Sequence, residues 1–129
     1  MYIFRILIES FFVGIYSLFL FIIFHLLTGN KLSFFQELFI VGFFKHLLGF
    51  YSNIHSYYCN KTCNNNLIII ESLGEGYAFL IMGIFLSFLF DNYNHLTFIY
   101  FFIGVFLHLF AELTGIHKFY CNYRCLNLN

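Results

Sequence analysis

Long apolar runs separated by short polar segments dominate the chain. Ile6–Leu27 contains few polar residues, and Leu67–Phe90 repeats its length and character. At the rise of an α-helix the first run is about 33 Å long, enough to cross the hydrocarbon core of a bilayer. Two shorter runs, Phe34–Phe50 and Leu96–Leu113, carry charged and histidine side chains. Because lipid-exposed backbone must satisfy its own hydrogen bonds, the pattern predicts four transmembrane helices.

Turn residues and small residues indicate how these helices are arranged. Thr28–Lys31 and Asp91–Asn94 are short polar segments between apolar runs, so each predicts an antiparallel helical hairpin. Ser10, Gly14 and Ser17 recur at helical spacing on the first helix. Small residues in such a stripe let membrane helices approach closely, which predicts a packed bundle.

The second half of the chain repeats the first at an offset of 62 positions without a gap. His46–Cys63 corresponds to His108–Cys125, and about a third of all overlaid positions are identical. Matched Phe, Ile and Leu are expected from composition, but matched Glu, Gly, His and Cys are not. We interpret 1–62 and 63–125 as tandem copies of one hairpin within a single membrane domain, 1–129. Two helices per copy make these parallel repeats, related by an axis along the membrane normal.

Composition is typical of a membrane protein. The 129 residues are 61% hydrophobic and 9% charged, whereas soluble domains carry about 25% charged residues. The formal net charge is zero, which gives no basic surface for nucleic acid. Ile6–Leu27 follows Arg5 as in a signal peptide, but the run is too long, contains Glu9 and lacks a small-residue cleavage site. We therefore expect it to be retained as a helix.

Basic residues favour a cytosolic location for both termini. With two crossings per copy, both termini and the loop 51–66 with its cysteine motif lie on one side of the membrane. The basic residues on that side are Arg5, Lys61, Lys118 and Arg124. The opposite side has Lys31 and acidic neighbours, so the positive-inside rule places the termini and both cysteine motifs in the cytosol. The expected partners are the lipid bilayer and other membrane proteins or further copies of the chain.

Two cysteine pairs with three intervening residues follow the second and fourth helices. Structural disulfides, within or between the copies, are the preferred interpretation, and four cysteines allow three pairings. Zinc or another thiophilic metal is an alternative, because each motif has a histidine four residues earlier and a helix would place all three side chains on one face. Palmitoylation and free thiols are further alternatives. The residues concerned are His55, Cys59, Cys63, His117, Cys121 and Cys125.

The disulfide interpretation conflicts with the predicted orientation, because cytosolic thiols stay reduced. Either the orientation is reversed, or the cysteines bind metal, or the compartment is unusual.

Five ionisable residues are predicted to lie within the membrane at a similar depth. They are Glu9, His46, Glu71, His108 and Glu112. A charge in lipid costs on the order of 3 kcal/mol, so these side chains should face the interior and pair. The simpler hypothesis is that they form interhelical hydrogen bonds that fix the packing. The alternative is a cluster on the pseudo-twofold axis that holds a metal or relays protons, with a bis-histidine haem between His46 and His108 as a minor version.

The segment Glu112–Cys121, ELTGIHKFYC, resembles a motif in small uncharacterised polytopic membrane proteins of large nucleocytoplasmic DNA viruses. The first copy departs from the motif, with Phe50 and Asn53 where the second has Glu112 and Gly115. The resemblance implies a viral or infected-cell membrane and brings no known activity. It also implies a cytoplasmic system for thiol oxidation, which would remove the conflict between orientation and disulfides.

Within the sequence there is no Ser-His-Asp order, phosphate-binding loop or dinucleotide fingerprint, so an enzyme is not the expectation. We predict a structural or assembly component of a membrane or viral envelope, with cysteine-bearing surface loops. A metal-binding or redox membrane protein is the main alternative, and a small transporter or channel is the next. No cofactor is predicted apart from the zinc or related metal of the alternative.

Overall fold

The computed structural model describes residues 1–29, 31–59, 62–63, 67–90 and 96–126. Four long helices and two short ones lie in these residues, together with one pair of two-residue strands. In chain order they are α1 (Tyr2–Thr28), α2 (Phe34–Tyr51), α3 (Ile54–Cys59), β1 (Thr62–Cys63), α4 (Ile68–Leu89), α5 (Leu96–Leu113), α6 (Ile116–Arg124) and β2 (Cys125–Leu126). The long helices match the four apolar runs, which confirms the helical class.

Three of the long helices are long and apolar enough to cross a membrane. These are α1, α4 and α5, with mean hydropathies of 2.4, 1.6 and 2.0 over their most apolar windows. The chain therefore has the character of an integral membrane protein. The 18 residues of α2 equal those of α5 in number, but Glu37, Lys45 and His46 make α2 more polar. Its crossing stays a prediction.

Each long helix of one half packs mainly against a long helix of the other half. The principal contacts join α1 to α5 and α2 to α4. The buried core between them includes Phe21, Leu38, Phe79, Ile99 and Tyr100. Many large apolar side chains, among them Phe19 and Phe88, point outward and are exposed. Such an extended apolar exterior is expected of a surface that faces lipid.

Two glycines bring these helix pairs into close approach. A Cβ atom at Gly104 of α5 would collide with Ser17 Oγ and would lie 2.8 Å from the Val13 carbonyl oxygen of α1. A Cβ atom at Gly42 of α2 would lie 2.8 Å from the Glu75 carbonyl oxygen of α4. The absence of a side chain at these positions is therefore what permits the backbones to meet, as the small-residue pattern predicted.

Local signals explain where the first hairpin turns. Helix α1 ends at Gly29, whose positive φ of 59° is readily adopted by glycine. Helix α2 begins with a capping box in which the Ser33 hydroxyl accepts a bond from the Gln36 amide and the Gln36 side chain accepts one from the Ser33 amide. Asn30 and the second predicted turn, Asp91–Asn94, lie outside the described residues.

The cysteine segments differ from the helical arrangement considered from the sequence. Asn53 and Gly115 have positive φ values of 64° and 80° and separate α2 from α3 and α5 from α6. Helix α3 ends at Cys59, and Cys63 lies in β1, opposite Cys125 of the antiparallel strand β2. The expectation of one helical face holding each His-Cys-Cys set is therefore wrong for Cys63 and Cys125, because the chain becomes extended before them.

Candidate functional site

A disulfide joins the two halves at the end of the bundle where α3 and α6 lie. It links Cys59 of α3 to Cys121 of α6, with their Cα atoms 5.3 Å apart. Cys63 is also disulfide-bonded. The predicted disulfides are therefore confirmed, and Cys59–Cys121 connects the halves rather than closing one loop. While this bond is present, neither of its sulfur atoms is available as a thiolate ligand. The side chain of His55 lies outside the described part of the chain.

His117 connects this disulfide to the polar side chains below it. Its Nε2 atom lies 3.8 Å from Cys121 Sγ, and its Nδ1 atom lies 2.5 Å from Glu112 Oε1. Because His117 and Cys121 are one helical turn apart on α6, they share a face of that helix. The disulfide therefore fixes the helix that positions His117 over Glu112.

Beneath the disulfide lies a first polar group, which we call group A: Glu9, His108, Glu112 and His117. His108 Nε2 is 3.5 Å from Glu9 Oε2 and 3.8 Å from Glu112 Oε1. Arg5 donates from Nε to the other oxygen of Glu9 at 2.7 Å. The side chains of Glu9, His108 and Glu112 are largely buried, whereas that of Arg5 is 74% exposed. Group A thus joins α1, α5 and α6.

A second polar group, group B, joins α2 to α4 and comprises Lys45, His46, Glu71 and Glu75. Lys45 Nζ donates to Glu75 Oε1, and His46 Nδ1 lies 2.6 Å from Glu75 Oε2. His46 Nε2 is 3.7 Å from Glu71 Oε2. The Lys45 and Glu75 side chains are 13% and 20% exposed, so this ion pair is mostly removed from solvent.

The structure divides the five predicted intramembrane residues between these groups. Glu9 of α1 faces His108 of α5, and Glu71 of α4 faces His46 of α2. Glu71 lies 62 positions after Glu9, and His46 lies 62 positions before His108. Each pair therefore joins a glutamate of one half to a histidine of the other half. Glu112 belongs to group A alone, since Phe50 occupies the position 62 residues earlier.

Sequence reasoning missed a third polar group at the opposite end of the bundle. His25 Nδ1 lies 3.1 Å from Glu37 Oε2, and the Tyr100 hydroxyl donates to Glu37 Oε1 at 3.3 Å. Glu37 and Tyr100 are both buried. The sequence contained a signal for the His25–Glu37 contact, because the short turn places the last turn of α1 beside the first turn of α2. The partnership of Lys45 with Glu75 was also missed.

These groups have the chemistry of proton holding and cation binding, because imidazole and carboxylate groups do both. No protein-family model, curated protein or solved structure matches the chain. Functional conclusions therefore rest on the geometry of the chain's own polar groups and of its disulfide.

Proposed function

We propose that the chain is a structural or assembly component of a membrane, with four crossing helices arranged as two repeated hairpins. The observation that carries the proposal is the Cys59–Cys121 disulfide, which fastens one hairpin to the other at the end of the bundle. Its partners are the bilayer and neighbouring membrane proteins or further copies of the chain. The resemblance at Glu112–Cys121 favours a viral envelope or an infected-cell membrane.

Contacts that recur at the same offset support the repeat. Gly42 and Gly104 lie 62 positions apart, and each would place a Cβ atom 2.8 Å from a backbone carbonyl of the facing helix. The sequence separation of the disulfide cysteines is also 62. A duplicated hairpin packed about an axis along the membrane normal accounts for these recurrences, since equivalent residues then meet equivalent surroundings.

The contacts of α2 support the proposal that it crosses the membrane as well as α1, α4 and α5. Its charged residues Glu37 and Lys45 are each paired with a residue of another long helix. Pairing within the protein lowers the cost of placing such residues in lipid. Because α2 packs along α4, α2 should also cross the membrane when α4 does.

Paired charged side chains inside the bundle and apolar side chains outside it are consistent with a structural role. The five glutamates are each paired with a basic, histidine or tyrosine side chain, while the outer surface is apolar. Internal ion pairs and a covalent link between the halves favour one fixed arrangement of helices. Such an arrangement suits a component that holds its shape within a membrane or presents a rigid end to a partner.

We place the termini and the disulfide-bearing end on the cytosolic side, following the distribution of Arg and Lys. Disulfides persist where thiols are oxidised, so this orientation requires an oxidation system in the same compartment. The viral resemblance implies such a system, which makes the orientation and the disulfide compatible.

Labelling of thiols from each side of the membrane tests this topology. We expect a membrane-impermeant maleimide to label nothing before reduction and to label cysteines only from the cytosolic side after reduction. As a control, a cysteine-free chain carrying Ser33→Cys should react only from the opposite side. Labelling without reductant would contradict the disulfides. Labelling of the native cysteines from the non-cytosolic side after reduction would reverse the orientation.

Proton flux through liposomes tests the structural role against transport. Because the Glu–His pairs act as packing contacts in this proposal, wild-type protein and a Glu9→Gln, Glu71→Gln variant should give the same leak as protein-free liposomes. The measurement is the decay of an imposed pH gradient, reported by an enclosed dye. A leak that wild-type protein accelerates and the variant abolishes would replace the structural role with transport.

A further inference from the structure

Three side chains of group A place possible metal-ligand atoms close together. Besides the 3.5 Å and 3.8 Å separations from His108 Nε2, one atom each from Glu9, His108 and Glu112 lie within 4.8 Å of one another. An ordinary N–H···O bond spans about 2.9 Å, so the contact of His108 with Glu9 is long for a direct bond and its contact with Glu112 exceeds the range of one. Ligand atoms about 2.0–2.1 Å from a shared tetrahedral zinc ion lie about 3.4 Å apart. The spacing therefore fits atoms arranged around one ion.

Group B differs from group A in holding a lysine ammonium inside the protein. There, the ammonium of Lys45 sits against Glu75 inside the protein, and His46 binds the same carboxylate closely. Leu107 stands 62 positions after Lys45, so group A has no lysine at that place. Its cation, Arg5, is mostly exposed, and an exposed pair contributes little to balancing a buried carboxylate. Inside the protein, the carboxylates of Glu9 and Glu112 are therefore in contact with the imidazoles of His108 and His117 and with no lysine among the described residues, and a bound cation would balance their charge.

His117 supplies an orienting contact for such an ion. Its Nδ1 lies 2.5 Å from Glu112 Oε1, and with the proton on Nδ1 it donates to that oxygen. A carboxylate oxygen has a second lone pair, so it can accept this bond and still face a metal. Outer contacts of this kind hold metal ligands in position, and the disulfide at Cys121 anchors the helix that carries His117.

A shallow surface depression gives access to the group. Arg5, Glu9 and Tyr57 line it together with four apolar side chains, those of Met1, Phe4, Ile8 and Phe12. An ion can therefore reach Glu9 from the surface of the protein.

We propose that group A binds one divalent transition-metal ion of the zinc class through Glu9, His108 and Glu112, with His117 as a positioning residue. Imidazole and carboxylate ligands together suit zinc and its neighbours better than they suit calcium or magnesium, which prefer oxygen alone. The ion joins α1 to α5 beside the disulfide. This inference needs only the described side chains and does not depend on the structural role.

Titration with Co²⁺, a visible probe for zinc sites, tests the proposal on the purified, oxidised, full-length chain in lipid nanodiscs. We expect absorption bands that saturate at one equivalent and disappear when Zn²⁺ is added. His108→Gln should weaken Co²⁺ binding by at least about 100-fold, since loss of an outer contact alone costs about 10–100-fold. The matched variant His46→Gln alters group B at the equivalent position and should bind Co²⁺ as wild type does.

Two further variants separate loss of the site from loss of the fold. Glu112→Gln keeps the side-chain volume and should also weaken Co²⁺ binding, while His117→Gln should weaken it by about 10–100-fold. Each variant is first checked for the Cys59–Cys121 bond by non-reducing peptide mapping, and only chains that retain it are compared. Failure of wild-type protein to bind Co²⁺ would overturn the proposal. So would equal losses in His46→Gln and in the group A variants. Neither result would change the outcome of the labelling or flux experiments.

Discussion

Cutting the chain between Cys63 and Leu67 leaves its two halves joined until a reductant is added. A protease site inserted at positions 64–66 provides the cut. Cys59 lies before the site and its disulfide partner Cys121 lies after it, so the bond spans the break. Electrophoresis in detergent should show one species without reductant and two with it. A chain with all four cysteines replaced by serine should separate under both conditions, and separation of oxidised wild-type protein would contradict the disulfide.

The same bond should dominate the stability of the uncut chain. Closing a loop between residues 62 positions apart reduces the entropy of the unfolded chain, which corresponds to about 4 kcal/mol in the chain-entropy account. We therefore expect the cysteine-free chain, which also lacks the bond at Cys63, to lose at least about 4 kcal/mol of unfolding free energy. Denaturant titration followed by circular dichroism measures the loss, and wild-type protein in reductant should behave like the variant. Equal stabilities of oxidised and cysteine-free chains would contradict this account.

Replacing Lys45 with methionine should destabilise the bundle by about 3–5 kcal/mol, the usual cost of removing one partner of a mostly buried ion pair. Methionine retains the apolar stem but leaves the Glu75 carboxylate without its ammonium partner. The measurement is again the free energy of unfolding in a fixed lipid or detergent. Lys31→Met, at an exposed position, is the matched control and should change stability by less than about 0.5 kcal/mol.

A second replacement tests whether charge imbalance is the cause. Glu75→Gln added to Lys45→Met removes the carboxylate that keeps only His46 as a partner in the single variant. It should recover most of the lost stability, since replacing both partners of a buried pair is often close to neutral. If the double variant is as unstable as Lys45→Met alone, packing of the lysine stem rather than its charge holds α2 to α4.

The long helices could be predicted because their apolar runs extend well beyond what a strand needs. The predicted bounds of Leu96–Leu113 agree with the structure at both ends, and the other three long helices begin and end within four residues of their predicted bounds. Helix ends that depend on the conformation of a single residue were harder to predict from the sequence. The breaks at Asn53 and Gly115 depend on a positive φ, which the sequence does not reveal in advance. Strands as short as β1 and β2 have no periodicity to detect.

Pairing between distant residues was the part that sequence could not resolve. Four cysteines permit three pairings, and spacing alone does not choose the one that contains Cys59–Cys121. The predicted depth of the Glu and His residues left open whether they form one cluster or two. Packing of α1 with α5 and of α2 with α4 separates them into groups A and B. The pairing of Lys45 with Glu75 could not be predicted either, because the two residues lie on helices of different halves.

The exchange of contacts between the halves has a consequence for synthesis. In the proposed four-helix topology, α1 and α2 leave the ribosome before α4 exists, so Lys45 and His46 enter the insertion machinery ahead of the Glu71 and Glu75 carboxylates. A nascent chain halted near residue 66 would present an ammonium group with its counter-ion not yet translated. We expect such truncated products to be retained by the translocon or degraded, and correct assembly to wait until α4 has been synthesised.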